Sequence, residues 1–198
     1  MKLVPAVLEN RFVRLEPFED RHREPLRLAC DADPELWAAL YYNSLGGEEF
    51  DAGWDAMRTQ QAKGWRIPFA VIHGGDCMGL STFITPDAKN ASVEIGTTYY
   101  RPDARGGAVN PATKRLMLEH AFACGAGRVS FQVDAINARS RAAMRKLGAV
   151  EEGVMRNDKI TWTGRVRSSV IFSILAEEWA VVRARLDARL LEFDAVTG

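Results

Sequence analysis

Neither sign of charge is in excess in this sequence. Lys plus Arg and Asp plus Glu both number 26, so the formal net charge is zero. Global attraction to nucleic acid or to an anionic membrane is thereby excluded, and only local patches could act. Long apolar runs are missing too, and so is an N-terminal apolar h-region, so a soluble cytoplasmic protein is expected. Cysteine is scarce: Cys30, Cys77 and Cys124 lie far apart and form no C-x-x-C pair. That spacing indicates neither a disulfide framework nor a zinc site, and reads as buried, reduced thiols. The three histidines, His22, His73 and His120, are dispersed and form no pattern with a serine or cysteine. A hydrolase triad and a metal cluster are therefore not expected. No linker-like stretch divides the 198 residues, 47% of them hydrophobic, so one domain over 1–198 is predicted.

What is present has a clear rhythm. RFVRLE, residues 11–16, alternates as a strand does. Two helices follow in DRHREPLRLACDADPELWAALYY, the second opened by Pro34 behind Asp33. A third runs from Glu48 to Lys63, with Phe50, Trp54 and Met57 on one face. IPFAVIH, CMGLSTFI and ASVEIGTTYY then read as three strands. The turns His73-Gly74-Gly75-Asp76 and Thr85-Pro86-Asp87 between them predict an antiparallel meander. Beyond it come helix 111–123, strand RVSFQVD, helix 138–147 closed by Gly148, and strands 149–156 and 165–174 around Trp162-Thr163-Gly164. A last helix, 176–193, carries Trp179, Val182, Leu186, Leu190 and Phe193 on one stripe, for docking on the core or on a second copy. The fold class is α/β (α+β): a mixed central sheet with an antiparallel N-terminal meander and helices on both faces.

The stretch RPDARGGAVNPATKRLMLEHAF places two glycines at the mouth of a helix. Asn110 as N-cap and Pro111 as first helical residue predict the helix start. First-turn amides lack internal partners and stand at the positive end of the helix dipole. Small residues upstream let a phosphate reach them, and Arg105 can add a charge-assisted bond. A plain tight turn before a capped helix is the alternative. A Walker A loop is excluded because Ala108-Val109-Asn110 stands where Gly-Lys-Ser/Thr is needed. A dinucleotide fingerprint would follow the first strand of a parallel βαβ unit, and this loop follows a meander.

The ordered series RGGAVNPATKRLMLEHAF…RVSFQVDAINARSRAAMRKLGAVEEGVMR resembles the GCN5-related N-acetyltransferases, or GNAT family. Within them it is similar to the branch of the ribosomal-protein alanine and serine N-acetyltransferases, over roughly residues 9–180. The resemblance implies an acyl-CoA loop at Arg105, Gly106, Gly107, Ala108, Val109 and Asn110, with Ala108 and Asn110 departing from the usual small-residue pattern. It also implies that Gly96, Thr97, Thr98 and Tyr99 meet the pantetheine arm at a bulge near Gly96, with Asn137 beside the arm. Helix 138–147 offers Arg139, Arg141, Arg145 and Lys146, and Arg145 is taken as a phosphate contact.

Acyl transfer to an amine needs a base, an oxyanion donor and a proton for the thiolate. Glu94 is the candidate base, raised toward neutrality by partial burial, or else a structural carboxylate paired with an arginine. An amide near Ile95–Thr97 is the oxyanion donor, and Ser140 the proton donor, because Met144 stands where many relatives have tyrosine. Trp37, Tyr41, Tyr42 and Trp54 divide between core and acceptor pocket; Asp51, Asp55 and Glu152 are open candidates for attracting the ammonium. The expected function is acetyl-CoA-dependent N-acetylation of a primary amine, on a protein N-terminus or a small molecule, without metal. A catalytically silent acyl-CoA-binding module is the alternative. No nucleic acid or membrane partner is expected, and a homodimer through the final helix or the hairpin is left open.

Overall fold

One eight-stranded sheet organises the computed structural model, which describes residues 1–194. Residues 195–198 of the expected domain lie outside the described residues. The strands are β1 (Leu8–Glu9), β2 (Arg14–Pro17), β3 (Arg66–His73), β4 (Asp76–Asp87), β5 (Ser92–Tyr100), β6 (Arg128–Asp134), β7 (Val150–Ile160) and β8 (Val166–Leu175). The helices are α1 (Arg23–Asp31), α2 (Pro34–Leu40), α3 (Phe50–Ala62), α4 (Val109–Ala123), α5 (Ala138–Leu147) and α6 (Trp179–Asp194). Strand order is β1-β2-β3-β4-β5-β6-β8-β7, antiparallel throughout except for the parallel pair β5–β6. No described helix is long and apolar enough to cross a membrane.

Period-two alternation sends each strand's apolar residues to two cores. Ile67, Phe69 and Val71 of β3, Phe83 of β4 and Val129, Phe131 and Val133 of β6 pack under α4, α5 and α6. Ala70 and Leu80 face the other way, onto Trp37, Phe50 and Trp54 of α2 and α3. The α6 stripe of Trp179, Val182, Leu186 and Leu190 is buried in the first core, each such side chain contributing about 1.5–3 kcal/mol. That stripe is therefore covered within the chain, with α4 as the main neighbour of α6. Gly148 closes α5 with φ +91, in the left-handed region that suits a helix C-terminus.

Three expectations change. The strand expected over 11–16 is β2, which begins at Arg14 behind the short β1, because the Asn10 side chain folds residues 10–13 into a turn: its Oδ1 accepts from Phe12 N at 2.9 Å and Val13 N at 3.0 Å. Helix α4 begins at Val109, with Ala108 (φ −71, ψ −22) at the cap position and no side-chain cap. Asn110 is thus inside the helix; proline is tolerated throughout the first turn, so Pro111 does not fix the start. The bulge expected at Gly96 is centred one residue on. Pairing runs Thr82↔Gly96 and then Leu80↔Tyr99, so Thr97 and Thr98 together oppose Ser81, and Thr97 has φ +46.

That extra residue reverses the alternation of β5. Val93 and Ile95 face the α4 side, but Tyr99 faces α2 and Tyr100 the α4 side.

Candidate active site

β5 and β6 pair over only three residues, Ser92↔Arg128, Val93↔Val129 and Glu94↔Ser130. Past Glu94 the two strands part, leaving main-chain groups of β5 without a neighbouring strand. A cavity of about 560 Å3 opens at the split. Its lining comes from both faces of the sheet: Tyr41, Tyr42, Arg66, Glu94 and Lys159 on the α2 side, and Gly107, Asn110, Lys114, Asn137 and Ser140 from α4, α5 and their approach. The cavity thus passes through the sheet. The tip of the β7–β8 hairpin closes its α2 side. Trp162 Nε1 donates to Trp37 O at 3.2 Å and Trp162 N to Tyr42 O at 3.0 Å, while Arg165 Nη2 donates to Ala39 O at 3.3 Å.

At the other mouth lies the glycine turn. Gly106 has φ +85, which glycine adopts without strain. A Cβ on Gly107 would meet no protein atom within 4 Å, so internal packing does not require glycine there. Arg105 is held by Asp33 (Nη1–Oδ2, 2.5 Å) and by Tyr100 O (2.7 Å from Nε), and its buried Nη2 has no partner. An unpartnered guanidinium nitrogen, an open glycine and the free amides of α4 make a set of donors suited to a diphosphate. Replacing Gly107 with Val should leave stability within about 0.5 kcal/mol yet weaken coenzyme A binding about tenfold, checked by calorimetry beside thermal melting.

Glu94 projects from β5 just where the strands part. Gly96 makes room for it: a Cβ there would stand 2.9 Å from Glu94 Oε1 and 2.8 Å from Ile84 Cδ1. Among the described residues the carboxylate has no ion pair within 4.0 Å and no hydrogen bond, so the paired-arginine alternative is not realised. Burial pushes its carboxyl above the ordinary value, against the pull of Lys159, Arg66 and Arg167.

Lys114 is a site residue that the sequence motifs do not single out. It is 3% exposed, and its Nζ donates to Thr98 Oγ1 at 2.7 Å and Ser81 Oγ at 3.2 Å, with no carboxylate beside it. Desolvation pushes its amine down to about 7. The only available signal is a lysine at a helix position flanked by Pro111, Ala112, Met117 and Leu118 on an otherwise buried face.

Of the proposed cofactor and catalytic residues, Glu94, Gly96, Thr97, Thr98, Arg105, Gly106, Gly107, Asn110, Asn137 and Ser140 line this one cavity. Asn137 caps α5, its Oδ1 accepting from Ser140 N at 2.9 Å. The rest stand elsewhere. Tyr99 turns toward α1, its hydroxyl donating to Ala29 O at 3.0 Å, because the bulge reverses the strand. Val109 is core, and Ala108 packs against it. Arg145 pairs with Glu151 at 2.8 Å on the outer side of α5; Arg139 and Lys146, on the inner side with Ala143, line the cavity instead. Asp51 pairs with Arg23 and Arg27, and Glu152 with Arg128, while Asp55 is exposed, so none of the three lines the cavity. Trp37 and Trp54 are core; Tyr41 and Tyr42 line the cavity. No group of three or more metal-ligating side chains occurs among the described residues.

A split sheet with a glycine turn and a helix start at its mouth is the arrangement that the resemblance to the GNAT family implies. The GNAT acetyltransferase domain matches residues 13–150, and the chain belongs to this family and is an N-acetyltransferase. Similar solved structures include a T. thermophilus protein assigned as an acetyltransferase, 34% identical over 96% of this chain and 100% of that one (TM-score 0.85). A GCN5-related N-acetyltransferase from Brucella melitensis is 25% identical over 94% of this chain and 86% of that one (TM-score 0.85). Mycobacterium smegmatis RimJ, solved in complex with CoA-disulfide, shares the fold at 22% identity over 93% and 95% (TM-score 0.80). No curated protein matches the chain.

Proposed function

We propose that this protein transfers the acetyl group of acetyl-CoA directly to a primary amine while both are bound, with Glu94 as base and Ser140 as proton donor. The observation that carries the reading is the cavity through the parted sheet, which gives the two substrates separate entrances and one meeting point at Glu94. Acetyl-CoA supplies the activated acyl carbon and the thiolate leaving group. Gly106, Gly107, Asn110 and the first amides of α4 hold the diphosphate, with Arg105 Nη2 beside them and Arg139 or Lys146 at the rim. Main-chain groups of Ile95–Thr97 on the side that β6 has left pair with the amide-bearing arm as a neighbouring strand would, while the Thr98 carbonyl is already taken by the Tyr41 hydroxyl at 2.6 Å.

The chemistry then needs two protons to leave the amine nitrogen and one to reach the sulfur. Glu94 takes the proton of the incoming ammonium, because only the free amine can attack. A bond forms between the amine nitrogen and the acyl carbon as the carbon–sulfur bond breaks, and an amide near Ile95–Thr97 stabilises the charge that develops on oxygen. Once bonded to carbon the nitrogen is positively charged; it releases a second proton, which refills the Ser140 hydroxyl as that hydroxyl gives its own proton to the departing sulfur, leaving a neutral amide and a thiol. Incubation with acetyl-CoA and a panel of amines, following thiol release and product mass, tests the reading. Acetylated product is expected; tight coenzyme A binding without turnover on any amine would replace it with a silent acyl-CoA-binding role.

A further inference from the structure

Three cations converge on the α2 side of the cavity from three different strands. Arg66 at the start of β3 donates from Nη1 to Thr97 Oγ1 at 2.9 Å. Lys159 of β7 donates from Nζ to Gln132 Oε1 at 2.5 Å and stands 5.5 Å from the centre of the Tyr42 ring. Arg167 of β8 is 7% exposed; its Nη2 donates to Gln132 O at 3.4 Å, and its buried Nε has no hydrogen-bond partner. All three line the cavity with Glu94.

Their negative charge is undersupplied. Asp134 is 3.9 Å from Arg167 Nε but is engaged by Arg165 at 2.5 Å. Asp158 lies beside Lys159 and does not line the cavity. Glu94 is the remaining lining carboxylate, and its role as base requires it to lose its charge when it takes the amine's proton. Burial already disfavours the charged forms of Arg66 and Lys159. Partly buried cations held by neutral oxygens, with a guanidinium N–H left open, are costly to the fold unless an anion arrives.

From this arrangement we infer that the acceptor amine carries an oxyanionic group, a carboxylate or a phosphate, which Arg66, Lys159 and Arg167 bind while the amine faces Glu94. The inference rests on the proposed transfer reaction and names its substrate class. Guanidinium forks match both oxyanions bidentately, and Lys159 adds a point charge.

Matched amines test it: β-alanine against β-alaninamide, and O-phosphoethanolamine against ethanolamine, each offered to the protein saturated with coenzyme A for binding and with acetyl-CoA for turnover. The anionic member of at least one pair should bind or react about tenfold better, and the carboxylate and phosphate pairs tell the two anions apart. Arg66→Met and Lys159→Met should each erase most of that preference, Arg66→Lys should restore part of it, and melting curves report that the variants fold. Equal behaviour of neutral and anionic members, in binding and in turnover, overturns the inference while leaving the transferase reading intact. Loss of coenzyme A affinity in the variants as large as the loss of acceptor affinity also overturns it, by assigning the cations to the cosubstrate. Binding of the anionic amines without transfer would instead count against the reaction and keep the site.

Discussion

Glu94→Gln should lower kcat by about a hundredfold or more, the loss expected when a positioned general base is removed. Gln keeps the shape that fits beside Gly96 but cannot take a proton. The pH profile carries a second signature. Burial raises the folded-state pKa above its ordinary 4.5, so activity should fall as pH drops through a midpoint higher than that of a free glutamate. The variant should lack this acid limb. Stability should be unchanged or higher in the variant near neutral pH, since its neutral amide avoids the cost of a buried carboxylate charge. A kcat within threefold of the parent, with an unaltered acid limb, would remove Glu94 from the reaction.

Lys114→Met should stabilise the protein, most at low pH. Lowering an amine from 10.5 to about 7 corresponds to about 5 kcal/mol against the folded state when the lysine is charged. The substitution also removes interactions, which offsets part of that gain. Hydrogen bonds to Thr98 and Ser81 vanish, each worth about 1 kcal/mol, although these two hydroxyls still pair at 2.7 Å. A net gain of about 1–3 kcal/mol is expected at pH 6. The sign with pH follows from proton counts. Below about 7 both states of the parent hold the proton and the penalty is complete; between about 7 and 10 only the unfolded state holds it, so the parent gains stability as pH rises. The difference between parent and variant should therefore shrink from pH 6 to pH 9 in urea titrations. A constant difference would mean that Lys114 is not titrating in the fold.

Much of this architecture is legible in the sequence because its signals are local. Gly74-Gly75 forces the β3–β4 turn, the α6 stripe fixes a buried face, and the Arg105–Asn110 stretch marks a helix mouth that suits an anion and a plain tight turn equally. The site's acceptor half is not legible in that way. Arg66, Lys159 and Arg167 are 101 positions apart at their extremes and become neighbours only through strand order, in which β8 inserts between β6 and β7. Tyr99 escapes the sequence for a similar reason. Gly96 in VEIGTTYY points to the neighbourhood of the bulge but not to the residue that carries it, since threonine is not a residue that advertises a positive φ. Arg145 stands out over Arg139 and Lys146 only while charge is counted without the facing of the helix.

The hairpin latch has an evolutionary corollary. Trp162 and Arg165 grip carbonyl oxygens of Trp37, Ala39 and Tyr42, and every amino acid supplies a carbonyl oxygen. Side chains at residues 38–40, 42 and 43 can therefore be exchanged to suit a new acceptor while the hairpin tip above them stays fastened; Tyr41, bonded to Thr98 O and packed on Trp37, is the exception.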